Sequence, residues 1–291
     1  MNSREVKQFV LVFVLTIALL SLIFSGCSKD TSTSPTPSTS ITANTDVAES
    51  VADAVGEQSG GVVDQMGDVF MLAKSIQLEK TTDDGFLDHR EAIYDETTGT
   101  WTIVLQRERG VHGKAAYGYW NRTFTCQFLN IDGLPQKYYI THGDTARTIN
   151  FNILAGDGYH KNVRLSHDLK ELQGSFIATN VHTDWVTING TYRRAAVDTL
   201  TTQNFTRISD HVLQLTITDL VGPRGSRNDL SQKISGTITG TFHAEIVFDG
   251  RRGYAESTVD KTINIVIDNG EAEIAFDGQR FMSNVQTGQI K

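Results

Sequence analysis

The sequence predicts a mainly β protein: a large antiparallel meander, whether curved sheet, barrel or sandwich, with one or two N-terminal helices docked on it. Three observations carry this. From about Phe86 to the C-terminus apolar residues recur with a period of two, as in strands with one buried face. The segments are punctuated by Asp-Gly or its relatives, at Asp84-Gly85, Asp132-Gly133, Asp157-Gly158, Asp249-Gly250, Asp268-Asn269-Gly270 and Asp277-Gly278. Asp and Gly tolerate the positive φ that hairpin turns matching strand twist require. Helical spacing over residues 46–76 supplies the helices.

Arg4 and Lys7 form a cationic start, and the sixteen residues from Phe9 to Phe24 carry no charge. That run is slightly short for a membrane span of about 20 residues and slightly long for the apolar part of an export signal, roughly 7 to 15. It ends on Ser25-Gly26-Cys27, which resembles the lipobox of bacterial lipoprotein precursors, although Phe24 stands where that family usually has Leu. The resemblance covers about the first 28 residues. It implies a signal peptide over 1–26, cleavage between Gly26 and Cys27, a diacylglyceryl group on the Cys27 sulfur and acylation, as with palmitate, of the new amino terminus. Ser28, where Asp would favour the inner membrane, implies the outer membrane, on its periplasmic or surface side. The alternative is an uncleaved N-terminal anchor helix. Either way the membrane is a partner through the anchor, and acyl chains at about 0.8 kcal/mol per buried CH₂ hold firmly.

Residues 27–45 are almost all Ser, Thr, Pro and Asp up to Thr45, and cannot form a core; they read as a solvated tether. At 46–76 the texture changes. Asp46 followed by Glu49 looks like a helix N-cap with its reciprocal partner. Val47, Val51, Ala54 and Val55 share one face, with Glu49, Asp53 and Glu57 elsewhere, and after Ser59-Gly60-Gly61 the spacing resumes with Val62, Met66, Val69, Phe70 and Ala73. Packing against the sheet is the expected role of this acidic pair, since membrane-surface helices are Lys/Arg-rich.

Residues 77–291 form the antiparallel β domain. Trp101, Ile103 and Leu105 alternate with polar neighbours; Trp120, Phe124, Cys126 and Phe128 do likewise, with Arg122 as the exception in the row. Ile149, Phe151 and Ile153 follow, then Val163, Leu165, His167 and Leu169, then Val186, Ile188 and Tyr192, then Leu213, Leu215 and Ile217. From Ile234 to Phe248 the even positions are apolar or Gly and the odd ones mostly Ser, Thr, His and Glu, giving one dry and one wet face. A transmembrane barrel is excluded because the wet face is Thr, Asn, Asp and Arg.

The net charge of the 291 residues is −8, and without Arg4, Lys7 and Glu5 the mature chain is near −9. No basic stripe is visible, so nucleic acid is not a partner. Of two cysteines one is committed to lipid, and Cys126, in phase with Phe124 and Phe128, reads as a buried small hydrophobe.

No catalytic residue, metal ligand or cofactor is assigned, because the nucleophile elbow, S-x-x-K, H-E-x-x-H and C-x-x-C patterns are all missing. Asp83-Asp84-Gly85 with Asp88 does not meet calcium-loop spacing. His142 and His160 flank Asp144 and Asp157 across an expected hairpin, where an acid–base or metal cluster is conceivable but separate histidines are the simpler expectation. Arg107, Glu108 and Arg109, Arg193-Arg194 and Arg251-Arg252 read as solvated strand ends. Gly222 to Asp229 is the longest polar connection after the tether. Tyr117 and Tyr119, opposite in parity to Trp120, and Trp185 are the candidate ligand-binding residues, since exposed aromatics give platforms for sugar rings.

The expectation is an outer-membrane lipoprotein of the cell envelope with a non-enzymatic binding or structural role. The alternatives are a carrier of a lipid or other apolar ligand in a β cavity lidded by the helices, and a carbohydrate-binding surface protein using Tyr117, Tyr119 and Trp185.

Overall fold

A computed structural model describes residues 37–73, 87–110, 117–161, 165–225, 233–251 and 253–291. Residue contacts set apart Met1–Thr42 from the body, Ala43–Lys291. The signal segment, Gly26, Cys27 and the Asp83-Asp84-Gly85 turn lie outside the described residues. Among the described residues no helix is long and apolar enough to cross a membrane.

Helix α1, Pro37–Val55, starts well ahead of Asp46, so the last part of the expected tether is helical. Proline is at home in the first helical position, where its missing N–H is no loss. Asp46 therefore caps nothing: it sits inside the helix and pairs with Arg207 at 2.6 Å. Helix α2 spans Val62–Leu72. Gly60 turns between them at φ 72° beneath Trp120, whose Nε1 would stand 2.3 Å from any Cβ there.

The strands are β1 Leu87–Asp95, β2 Thr100–Gly110, β3 Tyr117–Leu129, β4 Pro135–Gln136, β5 Ile140–Thr141, β6 Asp144–Thr145, β7 Thr148–Lys161 and β8 Leu165–Thr179. They continue as β9 Trp185–Thr201, β10 Phe205–Pro223, β11 Ser235–Gly250, β12 Gly253–Asp268, β13 Glu271–Phe276, β14 Gln279–Asn284 and β15 Gln289–Ile290. Thirteen of them make one antiparallel sheet in sequential order, with β4 on β3, while β5 and β6 form a separate hairpin. The sheet is a meander that does not close: β1 and β15 stand at its two ends.

Turn chemistry sets much of this order. Asn269 and Gly270, and likewise Asp277 and Gly278, all have positive φ, which gives the two-residue turns that join β12 to β13 and β13 to β14. Asp157-Gly158 is no turn. It lies within β7, where Gly158 pairs with Trp120 and a Cβ would meet Tyr119 O at 2.7 Å; the glycine admits the indole rather than reversing the chain. Asp249-Gly250 ends β11 one step early, Gly250 pairing with Gly253.

The sheet curls around the helix pair. Val47, Ala48, Val51, Ala52, Ala54 and Val55 point to different sides of α1, yet none is more than 1% exposed. The inward row of the sheet supplies Trp101, Phe124, Phe128, Phe151, Phe176 and Phe242, all buried. Each such side chain contributes about 1.5–3 kcal/mol by leaving water. The turn between the helices is held by the last strands: Glu57 N–H donates to Val285 O at 2.9 Å and Gln58 N–H to Gln286 O at 2.8 Å. Cys126 is fully buried in the row of Phe124 and Phe128.

Candidate functional site

Apart from Glu49, which is exposed, the charged residues of the helices do not face water. On α1 the spacing of Asp46, Glu49, Ser50 and Asp53 puts them on one stripe, and on α2 Asp64 and Asp68 are one turn apart. The sheet answers with cations on its inner face. Asp64 Oδ1 meets Arg107 Nη1 at 3.3 Å and its Oδ2 meets Arg122 Nη2 at 2.5 Å. Asp68 Oδ1 meets Arg107 Nη2 at 2.5 Å and its Oδ2 meets Arg122 Nη1 at 3.3 Å. These four groups form an alternating quartet, buried at 6% exposure for Arg107 and Asp68 and 2% for Arg122.

The α1 stripe faces a second cluster. His167 on β8 and Asp198 on β9 are direct cross-strand partners, so their inward side chains meet, and His167 Nδ1–H donates to Asp198 Oδ1. Ser50 Oγ donates to Asp198 Oδ2 at 2.7 Å. Arg194, 1% exposed, donates through Nη2 to Asp53 Oδ2 at 3.2 Å and to His167 Nε2. The imidazole thus accepts on Nε2 and donates on Nδ1. His211 completes the cluster, its Nδ1 3.6 Å from Asp198 Oδ2 and its ring against Phe242.

Burial works against the Asp198 carboxylate, but His167, His211 and Ser50 outweigh it and hold its pKa well below the usual carboxylate range. Burial pushes His211 and His160 down despite nearby carboxylates. Asp46 is pushed up to about 7 by burial and by Glu49, against the pull of Arg207.

These groups lack the geometry of a nucleophile. Ser50 donates to the Asp198 carboxylate, whose depressed pKa makes it a poor proton acceptor. The cleft beside Asp46, Ser50, Asp198 and Arg207 is about 20 Å³, room for about one water. Among the described residues no three His, Cys, Asp or Glu side chains could hold a metal ion. The arrangement is a double ionic seam that fixes both helices to the sheet.

Sequence reasoning placed several of these residues elsewhere. Arg107 and Arg194 are buried partners rather than solvated strand ends, and the acidic helix face looks inward. His160 lies in β7 opposite His167, whereas His142 is in the β5–β6 turn at φ 50°, so the four residues His142, Asp144, Asp157 and His160 do not converge across one hairpin. Asp157 instead accepts from Asn121 at 3.0 Å. Of the Gly222–Asp229 connection, Arg224 donates to Tyr139 Oη at 2.9 Å and the residues after Gly225 lie outside the described set.

Tyr117 and Tyr119 do come together on the outer face, with ring centroids 6.3 Å apart. Tyr159, which the sequence did not single out, pairs with Tyr119 across β3–β7 and stacks on it at 6.5 Å. Glu108 is the partner of Tyr119 on the other side. Trp185 is 53% exposed but far away. Tyr159 pairs with Asp168, which pairs with Val197, and Trp185 is about twelve residues down β9 from Val197, roughly 40 Å at ~3.3 Å per residue.

No protein-family model matches the chain, and no match was found among curated proteins or solved structures.

Proposed function

We propose that the chain is a lipoprotein of the cell envelope, anchored to the outer membrane through Cys27, whose body has a non-enzymatic binding or structural role. The observation that supports the non-enzymatic part is the closure of the interior. The inner-face groups able to do acid–base chemistry, His167, His211, Asp53 and Asp198, are at most 7% exposed and face one another. The anchor is supported by the lipobox-like Ser25-Gly26-Cys27. Palmitate labelling of producing cells tests it: label in the native chain and none in Cys27→Ser is the expected result, and label surviving Cys27→Ser overturns it. A hydrolase screen in which Asp198→Asn abolishes an observed activity, with folding intact, overturns the non-enzymatic role.

A carbohydrate-binding role is the second reading, favoured by the Tyr117–Tyr119–Tyr159 array, because a run of outward rings offers sugars apolar faces with polar tips. Trp185 is too distant to join it. The carrier reading calls for helices that lid an apolar space; α1 and α2 instead fill the inner side of the sheet with their own side chains.

A further inference from the structure

We propose that the outer face of β7–β11 is a binding site for a neutral polysaccharide chain, which lies across the strands in a groove of about 820 Å³. The inference rests on reading the body as a binding module and assigns it a site distinct from the tyrosine array.

Two ladders of side chains flank the groove. Gln173, Arg193, Gln214 and Thr241 are successive cross-strand partners, and so are Asn152, Ser175, Thr191 and Thr216. Between them runs the inward row Gly174, Tyr192, Leu215 and Gly240. The Tyr192 and Leu215 side chains are buried, so this row offers the groove only backbone. The glycines let the sheet crease here: a Cβ at Gly240 would stand 2.0 Å from Gln214 O, and one at Gly174 2.5 Å from the Phe176 ring. Five strands at ~4.8 Å spacing give a run of roughly 19 Å.

The lining chemistry selects the ligand. Carboxamides and hydroxyls each donate and accept, as sugar hydroxyls do, so either orientation of a neighbouring hydroxyl finds a partner. The one charged group, Arg193, is already paired with Glu171, and an ionic polymer would meet no free counter-charge in the groove. A lipid would meet only Leu154 as an exposed apolar side chain among the lining residues. An extended peptide pairs with unsatisfied backbone at a sheet edge, whereas β7 to β11 are interior strands with both neighbours in place.

Affinity electrophoresis of the detergent-solubilised full chain, in gels holding dextran, a mixed-linkage β-glucan or a galactomannan and in parallel gels holding alginate or heparin, tests this. Retardation by at least one neutral polymer is expected. It should weaken at least tenfold in Gln173→Ala/Gln214→Ala and in Thr216→Trp, which fills the groove, with thermal unfolding unchanged. No retardation by any of the neutral polymers, retardation by the charged ones alone, or retardation lost in Tyr119→Ala/Tyr159→Ala but kept in both groove variants overturns the groove. The same gels run with Cys27→Ser read the groove without the anchor, so failure of one is distinct from failure of the other.

Discussion

Replacing Asp68 by Asn is the sharpest probe of the ionic seam. Asp68 accepts from both Arg107 and Arg122, and once its charge is gone the quartet keeps two guanidinium groups and one of its two carboxylates, Asp64. Both arginines are at most 6% exposed, so water cannot screen the surplus. Breaking a buried pair by removing one partner costs about 3–5 kcal/mol. For a body of this size that is on the order of 6–20 °C in Tm, at ~2–4 °C per kcal/mol. Urea unfolding followed by the emission of Trp101 and Trp120, both buried, measures it, with the slope m unchanged if only stability moves. The fourfold replacement Asp64→Leu/Asp68→Leu/Arg107→Met/Arg122→Met should recover most of the loss, because a well-packed apolar substitute for a buried ionic group is often neutral or better. A cost below about 1 kcal/mol for Asp68→Asn, the value of a solvated pair, refutes the buried seam.

Three further outcomes follow from the same structure. Burial depresses His211 and His160, so below about pH 6.5 the unfolded chain binds protons that the folded one refuses, and stability falls with pH. Asp46, raised to about 7, opposes this with one proton taken up by the folded state. His211→Leu should therefore flatten the urea midpoint between about pH 5 and 6.5, and an unchanged slope would contradict the assignment. Asp198, held low, gives up its contribution only as pH falls past the ordinary carboxylate range toward its depressed value. Gly240→Ala should destabilise by about 1–3 kcal/mol through crowding against Gln214 O, and a neutral result in the same urea series would remove the crease. Cys126, fully buried, should react with a thiol reagent only as fast as the body unfolds, which stopped-flow labelling against urea checks.

The alternation of Trp101, Ile103 and Leu105, or of the Ile234–Phe248 segment, made the strands legible because a single buried face leaves a period of two in plain view. The turns at Asn269-Gly270 and Asp277-Gly278 were legible because their backbone geometry demands those residues. Asp157-Gly158 misled for the same reason: a glycine needed for close approach to Trp120 has the same spelling as one needed for a turn. That error also hid Tyr159, which belongs on the outer face beside Tyr119. The seam had a faint signature. Arg122 and His167 both stand in apolar rows, and a charge in the core row implies a buried counter-charge. Where the counter-charge sits was not readable, since an acidic stripe such as Asp64 and Asp68 is spelled alike whether it faces water or arginine. The early start of α1 was hidden because Ser and Thr usually favour caps and loops over helix interiors.

The hydrogen bonds from Glu57 and Gln58 to Val285 and Gln286 join the turn between the helices to the connection between β14 and β15. In sequence the helix pair precedes the sheet, and its clasp follows every strand but the short β15. Each hairpin of the meander can form as soon as its second strand arrives, and the arginines that meet the helix carboxylates, Arg107, Arg122, Arg194 and Arg207, all lie on strands that precede the clasp. A chain cut short before Val285 would hold nearly every strand pairing while leaving the turn between its helices unclasped.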